Sequence, residues 1–190
     1  MGRDVVPAAA FQQSRCRIPR AAAAVVALAA LAIAPQSAAA SSCANANADP
    51  GSTSLSVIRK ATFCLLNEQR GAHGVRSLRE SGRLDLASSR HSKDMVRNHY
   101  FAHGDFVGRI RAAGYLSGAG SWFVGENIAW GSGSYATPAG IVRLWMNSPP
   151  HRHNILSSGF RQIGIGIARG TPRAGLSDGA TYTTDFGTRG

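Results

Sequence analysis

Residues 162–168 read QIGIGIA, and this stretch decides the fold class because it alternates with a period of two. Such alternation is typical of a β-strand with one face in a hydrophobic core. A second strand-like stretch, TYTTDF at residues 181–186, follows across a loop rich in glycine and proline. We predict that these two segments pair as antiparallel strands, and that a further extended segment covers residues 122–130.

Helical periodicity dominates the part of the chain that precedes these strands. Apolar residues recur at helical spacing in residues 55–70 and 84–98, which predicts two long helices. Shorter helices are expected at 105–113 and at 138–147. Pro138 suits the first turn of the last of these helices, and the prolines at 149 and 150 are expected to end it. No internal repeat and no second domain are evident in the sequence from residue 55 onward.

The first forty residues have the layout of a secretory signal peptide. Four arginines precede an uncharged apolar run at about residues 21–34, and small residues follow at 37–40. The apolar run is shorter than the roughly 20 residues that span a bilayer. We therefore expect residues 1–40 to be removed after Ala40, a flexible tail at residues 41–54, and a secreted protein with no transmembrane anchor. An alternative is a lipid anchor at Cys43, but the aliphatic residue usual before a lipoprotein cysteine is missing.

Two cysteines, Cys43 and Cys64, remain after the expected cleavage. An even pair in an oxidising compartment favours a disulfide, and the alternative is two unpaired thiols. Neither a Cys-x-x-Cys pair nor a His-Glu-x-x-His helix is present, so the common redox dithiol and zinc protease motifs are excluded. Gly-x-Ser-x-Gly and phosphate-binding glycine loops are also absent from the sequence.

The charge of the chain is strongly positive, at +11 for 190 residues, and it falls to +8 without residues 1–40. The excess is mostly arginine, scattered along the sequence (Arg70, Arg76, Arg79, Arg83, Arg90, Arg97, Arg109 and Arg111) and without interleaved aromatic residues. This distribution is typical of a solvated basic surface. We therefore expect no nucleic acid partner.

The polar chemistry concentrates in three short segments that are rich in aromatic residues and glycine. They read YFAH at 100–103, GENIAWG at 125–131 and WMNSPPHRHNIL at 145–156. Glu126 stands among apolar neighbours, where an unpaired carboxylate would be costly to bury. It needs partners, and histidine is a natural one.

Taken in order with RQIGIGIA and TYTTDFG, these segments resemble the bacterial branch of the CAP superfamily, which comprises cysteine-rich secretory proteins, antigen 5 and pathogenesis-related 1 proteins. The same unit is called the SCP domain. The stretch FCLLNEQRGAHGVRSL at residues 63–78 is similar to the first helix of that branch. The resemblance implies an α+β fold over residues 55–190: a three-layer α-β-α sandwich with a small antiparallel sheet between helical layers, and a central cleft.

The same resemblance implies a cleft lined by His103, Glu126 and His151, with a divalent metal such as zinc at His103 and His151. The second acidic residue of the family cleft has no match, because no Asp or Glu occurs between Glu126 and His151. A hydrogen-bonded polar network without metal is the alternative to a metal site.

The function that we expect is an extracellular ligand-binding module for a small molecule, a lipid or a cell-wall component, without catalytic residues. One alternative is a metal-assisted hydrolase or peptidase of the cell envelope. Another is a structural or adhesive surface protein with a vestigial cleft. The sequence specifies neither the ligand nor the oligomeric state.

Overall fold

The computed structural model describes residues 42–176 and 178–190, so the expected signal peptide lies outside the described residues. Within them the chain forms five α-helices, four strands and one 3₁₀ turn at Gly133–Tyr135. In chain order the elements are α1 (Leu55–Ala72), β1 (Arg79–Glu80), α2 (Gly82–Asn98), α3 (Phe106–Ala112), β2 (Trp122–Gly131), α4 (Pro138–Met146), α5 (Pro149–Leu156), β3 (Gln162–Arg169) and β4 (Ala180–Arg189).

The four strands form one mixed sheet in the order β1-β3-β4-β2. The predicted antiparallel pairing of β3 with β4 is confirmed, with Ile165 opposite Thr184, and β4 continues the ladder with β2. The sheet departs from the expected all-antiparallel arrangement at one edge. There β1 pairs in parallel with the first two residues of β3.

The expected α-β-α sandwich is confirmed. One face of the sheet carries α2, which forms a small core with α3 through Leu84, Ala87 and Ile110. The other face carries α1, α4 and α5 around a larger core that contains Ile163, Ile165 and Ile167 of β3. Because side chains alternate along a strand, Gly164 and Gly166 of β3 face α2.

These two glycines let α2 lie directly on the backbone of the sheet. A methyl group on Gly164 would come within 2.0 Å of the Leu84 carbonyl carbon, and one on Gly166 within 2.1 Å of the Ser88 carbonyl carbon. Hydrogen bonds complete the contact. The Ser92 hydroxyl donates to the Gly166 carbonyl oxygen at 3.0 Å, and the Ile165 N–H donates to Asp85 Oδ1 at 2.8 Å.

The prediction that Pro149 and Pro150 end the helix from Pro138 is confirmed, but the two prolines also begin a further helix that the sequence did not suggest. They are the first residues of α5, where proline fits because N–H groups in the first turn have no intrahelical acceptor. The helix α4 does end at Met146, and only Asn147 and Ser148 separate it from α5. Helix α5 carries His151, so the position of this candidate ligand depends on a helix that the sequence did not suggest.

The segment before α1 is tied to the domain by covalent and polar bonds. Cys43 and Cys64 form the expected disulfide, which links this segment to α1. The Ala139 N–H donates to the Ala46 carbonyl at 2.8 Å, and the Arg169 guanidinium donates to the Pro50 carbonyl at 2.8 Å. With its sulfur in the disulfide, Cys43 has no thiol for a lipid thioether, which overturns the lipid-anchor alternative in this structure. None of the helices within the described ranges is both long enough and apolar enough to cross a membrane.

We expect Gly164→Ala to lower the free energy of unfolding by about 3 kcal/mol, since the added methyl group must displace the α2 backbone. Urea unfolding followed by tryptophan fluorescence measures the change. Gly71→Ala in α1 is the matched control, because nothing lies within 4 Å of its new methyl group. Equal urea midpoints for the two variants would contradict the close contact between Gly164 and the α2 backbone.

Candidate functional site

A buried carboxylate, Glu126, lies in the middle of β2 with its side chain 1% exposed. The Arg109 guanidinium donates to Glu126 Oε2 at 2.6 Å. His103 Nδ1 lies 2.8 Å from Oε1, and because a carboxylate can only accept, this nitrogen carries the proton. Both oxygens of Glu126 are thus engaged, and the buried negative charge has a cationic partner within hydrogen-bond distance.

The partners of Glu126 come from the polypeptide between α2 and β2. Helix α2 ends at His99, whose left-handed φ of 51° turns the chain into the loop that carries His103. Helix α3, which carries Arg109, begins after Asp105, and the Asp105 carboxylate accepts from the Gly108 N–H at 2.8 Å. A side-chain cap of this kind fixes the start of a short helix. The loop and α3 are therefore held over the face of β2 that bears Glu126.

His91 of α2 lies beneath this loop and is fully buried. Its Nε2 donates to the Ala102 carbonyl at 3.0 Å and lies 4.0 Å from Glu126 Oε1. Burial lowers the pKa of His91 and outweighs the opposite effect of the Glu126 charge. A neutral His91 therefore holds the backbone next to His103 in place rather than forming an ion pair with Glu126.

His151 reaches the site from α5, on the opposite side of β2. Its Nδ1 forms a 2.7 Å hydrogen bond with Ser148 Oγ, and the ring is half-buried. Burial lowers the pKa of His151, and the nearby His103 adds to this shift. Since β2 is the outer strand of the sheet, His103 and His151 approach each other across its free edge.

Two asparagines hold α5 against β2, and an arginine of α1 ties α5 to that helix. Asn127 Nδ2 donates to the His151 carbonyl at 3.0 Å, and Asn154 Nδ2 donates to the Glu126 carbonyl at 3.2 Å. At the other end of α5, the buried Arg70 guanidinium donates to the Ile155 carbonyl at 2.6 Å. Arg70, which the sequence placed on a solvated surface, is therefore internal, and Arg109 is partly buried against Glu126.

A second acidic residue is buried beside Glu126, on β4. Asp185 lies directly opposite Glu126 in the β2–β4 register, which puts both side chains on the same face of the sheet. Asp185 is 1% exposed, and neither of its carboxyl oxygens has a hydrogen-bond partner among the described residues. Burial raises the pKa of Asp185 well above its usual range, and the negative charge of Glu126 raises it further. Asp185 thus lies beside the Glu126 carboxylate and the Ser88 hydroxyl, in surroundings that favour its protonated form.

The structure thus brings His103 and Glu126 into contact and places His151 near them. The Nε2 atoms of both histidines make no hydrogen bond within the described part of the chain. No group of three or more His, Cys, Asp or Glu residues is arranged to hold a metal ion in the ranges 42–176 and 178–190. Any metal at this site would rely on two imidazole nitrogens, because Glu126 is already engaged by Arg109 and His103.

Sequence reasoning missed Arg109, Asp185 and the role of His91. The alternation of side chains along β4 could have indicated Asp185. Asp185 lies on the same face of this strand as Thr181 and Thr183, and α2 covers that face. Arg109 carried no such signal. Its distance from Glu126 in the sequence, 17 residues, matches no local pairing pattern.

A three-layer α-β-α sandwich with a His–Glu–His cluster at the edge of its sheet defines a CAP, or SCP, domain. The family model of the cysteine-rich secretory protein family matches residues 63–184, and the chain belongs to this family.

Three relatives show the breadth of the similarity. An uncharacterized Bacillus subtilis protein, YkwD, is 32% identical over 139 residues, which are 70% of this chain and 48% of that protein. A Bacillus anthracis extracellular protein containing an SCP domain shares 25% identity at a TM-score of 0.53, with 70% of this chain and 43% of that chain covered. The fold is also similar to that of an outer surface protein from Borrelia burgdorferi (TM-score 0.57, 19% identity, 69% and 92% covered). This chain therefore spans about half the length of its Bacillus subtilis relative.

We expect Asp185→Asn to remove a pH dependence of stability. The raised pKa means that the folded state binds the Asp185 proton more tightly than the unfolded state, which ionises this residue above about pH 4. Wild-type stability therefore falls as pH rises through the raised pKa. The asparagine cannot ionise and has nearly the same size and shape as the aspartic acid. We expect urea unfolding between pH 5 and 8 to show that the free energy of unfolding of the variant rises relative to that of the wild type. The rise should be at most about 1.4 kcal/mol per pH unit.

The control is Asp49→Asn, because hydrogen bonds from Gly51 and Ser52 lower the pKa of Asp49 and keep it ionised throughout this range. Its unfolding curves should stay parallel to those of the wild type. A parallel profile for Asp185→Asn as well would show that Asp185 is ionised in the folded protein.

Proposed function

We propose that this protein is a secreted CAP-domain module that binds a ligand of the cell envelope at the cluster of His103, Glu126 and His151, with a divalent metal such as zinc held by the two histidines. One observation carries the proposal. Each imidazole is fixed through Nδ1 by a partner on the protein, and its Nε2 makes no hydrogen bond within residues 42–176 and 178–190.

The donor set fits a metal with open coordination positions. Metal-binding histidines usually donate their second N–H to a carboxylate or another acceptor, as His103 does to Glu126. Ser148 Oγ can play this part for His151. Tetrahedral zinc takes four ligands, so two histidines leave positions for water or a ligand atom. The chemistry that a metal supplies there is a Lewis-acid contact for an oxygen of the ligand.

The chain's own residues complete the binding site. Arg109 donates to the Glu126 carboxylate, Glu126 orients the His103 ring, and His91 holds the adjacent backbone. The ligand class that we propose is a small molecule, a lipid or a cell-wall component. Secretion is supported by the leader-like sequence, by the disulfide, and by the description of the Bacillus anthracis relative as extracellular.

The hydrolase alternative has less support from the geometry. Ser148 and His151 form a hydrogen-bonded pair that could in principle act as nucleophile and base. An acyl-transfer site also needs N–H donors for the developing oxyanion. The residues that follow Ser148 are Pro149 and Pro150, which have no N–H, so the start of α5 offers none at these two positions.

Zinc titration by calorimetry, on untagged protein, tests the proposal. We expect the wild type to bind one zinc ion, and His103→Ala and His151→Ala each to weaken binding by about 100-fold through loss of a ligand nitrogen. Glu126→Gln should weaken it by about tenfold, since it loses the charge that orients His103.

His153→Ala is the matched control, because His153 is an exposed histidine on the same helix and lines a different cavity of 730 Å³. Its zinc affinity should equal that of the wild type. Unchanged zinc binding by a His103→Ala/His151→Ala double variant would overturn the metal site. If that variant also folds and still binds cell-envelope material, the vestigial-cleft alternative is correct.

A further inference from the structure

Strand β3 has an outer edge that is paired over only part of its length. Within the described residues, β1 pairs with Gln162 and Ile163 on this side of β3, and no strand pairs with Gly164 to Arg169 on the same side. The Ser81 N–H donates to the Ile163 carbonyl at 2.9 Å, and the Ile165 N–H donates to Asp85, so odd-numbered residues direct their polar groups to this edge. By the alternation of an antiparallel strand, the Ile167 and Arg169 backbone groups point the same way.

A groove follows this unpaired edge between α1 and α2. It consists of three adjoining cavities of 270, 290 and 450 Å³. The first two share Leu55, Lys93 and Ile167, and the last two share Val96 and Arg169. The Arg59–Asp85 ion pair, at 2.7 Å, closes the end of the groove nearest β1. We call this feature the edge groove.

The side chains that line the edge groove are basic or uncharged, and none is acidic. The basic ones are Arg59, Lys93, Arg97, Arg169 and Arg173. Lys93, Arg97 and Arg173 form no salt bridge with any described residue.

The nearby acids are held by other groups. Asp94, close to Arg97, accepts from the Tyr100 hydroxyl at 2.5 Å and from Asn98 at 2.7 Å. Asp49, close to Arg169, accepts from the Gly51 N–H at 3.0 Å and the Ser52 hydroxyl at 3.1 Å. These neutral donors leave both carboxylates charged, so the positive charge that the edge groove offers to a ligand comes mainly from Lys93, Arg97 and Arg173, which form no salt bridge within the described ranges.

We propose that the edge groove binds an extended acidic peptide segment of a partner protein, which adds to β3 as a further strand. Unpaired strand edges bind peptides by main-chain hydrogen bonds, and flanking side chains select the sequence. Here the flanking side chains of Lys93 and Arg97 select alternating acidic residues. A second copy of this chain is a poor occupant, because two basic grooves would repel each other. The proposal does not depend on the histidine cluster, which lies at the opposite edge of the sheet.

Basic residues beside a free edge also occur where they only prevent unwanted strand pairing. That explanation predicts no binding of an acidic peptide, so a binding experiment separates the two. The probe is a fluorescein-labelled eight-residue peptide of alternating glutamate and valine. Its control is the same peptide methylated at every backbone nitrogen, which keeps the charges and has no N–H to donate.

Fluorescence anisotropy should show binding of the unmethylated peptide to the purified protein, and weak or no binding of the methylated one. Lys93→Glu/Arg97→Glu should weaken binding by about tenfold or more, as expected for reversed charges at a binding site. Arg76→Glu/Arg111→Glu is the matched control, since it changes the net charge equally at exposed residues outside the edge groove. Hydrogen exchange should slow at the Ile167 and Arg169 amides when the peptide binds.

Equal affinity for the methylated peptide, or unchanged exchange at Ile167 and Arg169, would overturn the proposal. Tighter binding of sodium polyphosphate or single-stranded DNA than of the peptide would also overturn it, and would assign the groove to a polyanion without a peptide backbone. Peptide-independent dimers in light scattering that disappear in Lys93→Glu/Arg97→Glu would assign the edge to self-association. The zinc affinity of this variant should match that of the wild type. The peptide experiment and the zinc experiment therefore test the edge groove and the histidine cluster separately.

Discussion

The buried charge of Glu126 is the constraint on which the rest of the site depends. A carboxylate that is almost wholly removed from water is stable only with partners, and removing one partner of such a pair typically costs about 3–5 kcal/mol. Arg109 and His103 satisfy it from two different segments, α3 and the loop after α2. The charge thus holds these segments over the sheet, and the same contacts orient the imidazole that we propose as a ligand. Burial and the neighbouring Glu126 charge raise the pKa of Asp185, which lies next to Glu126, well above its usual range.

Much of the fold could be predicted from local patterns. The period of two in β3 and the helical spacing in α1 and α2 depend on neighbouring residues alone, and these elements lie within a few residues of their predicted bounds. Helix α5 was missed because consecutive prolines were interpreted as a stop, although proline is equally suited to begin a helix. Two-residue β1 has no local signal, since it exists only through its parallel pairing with β3.

The candidate site could be predicted only in part. His103, Glu126 and His151 were found through the family resemblance, whereas Arg109 and Asp185 became visible only when the strands and helices were assembled. The Asp185–Glu126 pairing depends on the register between β2 and β4, which joins residues 59 positions apart. Composition predicted one uniform basic surface, but in the structure the basic residues form distinct groups. Arg70 is a buried structural cation, Arg109 is partly buried beside Glu126, and Lys93 and Arg97 line the edge groove.

The two glycines of β3 restrict the substitutions that this sequence can accept during evolution. At positions 164 and 166 even the smallest side chain would meet α2 backbone, so size excludes all nineteen other residue types unless α2 moves. Helix α2 carries His91 toward the cleft and Lys93 toward the edge groove. A substitution at either glycine would therefore displace α2 and disturb the cleft and the edge groove together. Mutations at these two positions cannot change one site without the other. In a library randomised across β3, the alternate positions 163, 165 and 167 should accept a range of apolar residues, while 164 and 166 return to glycine.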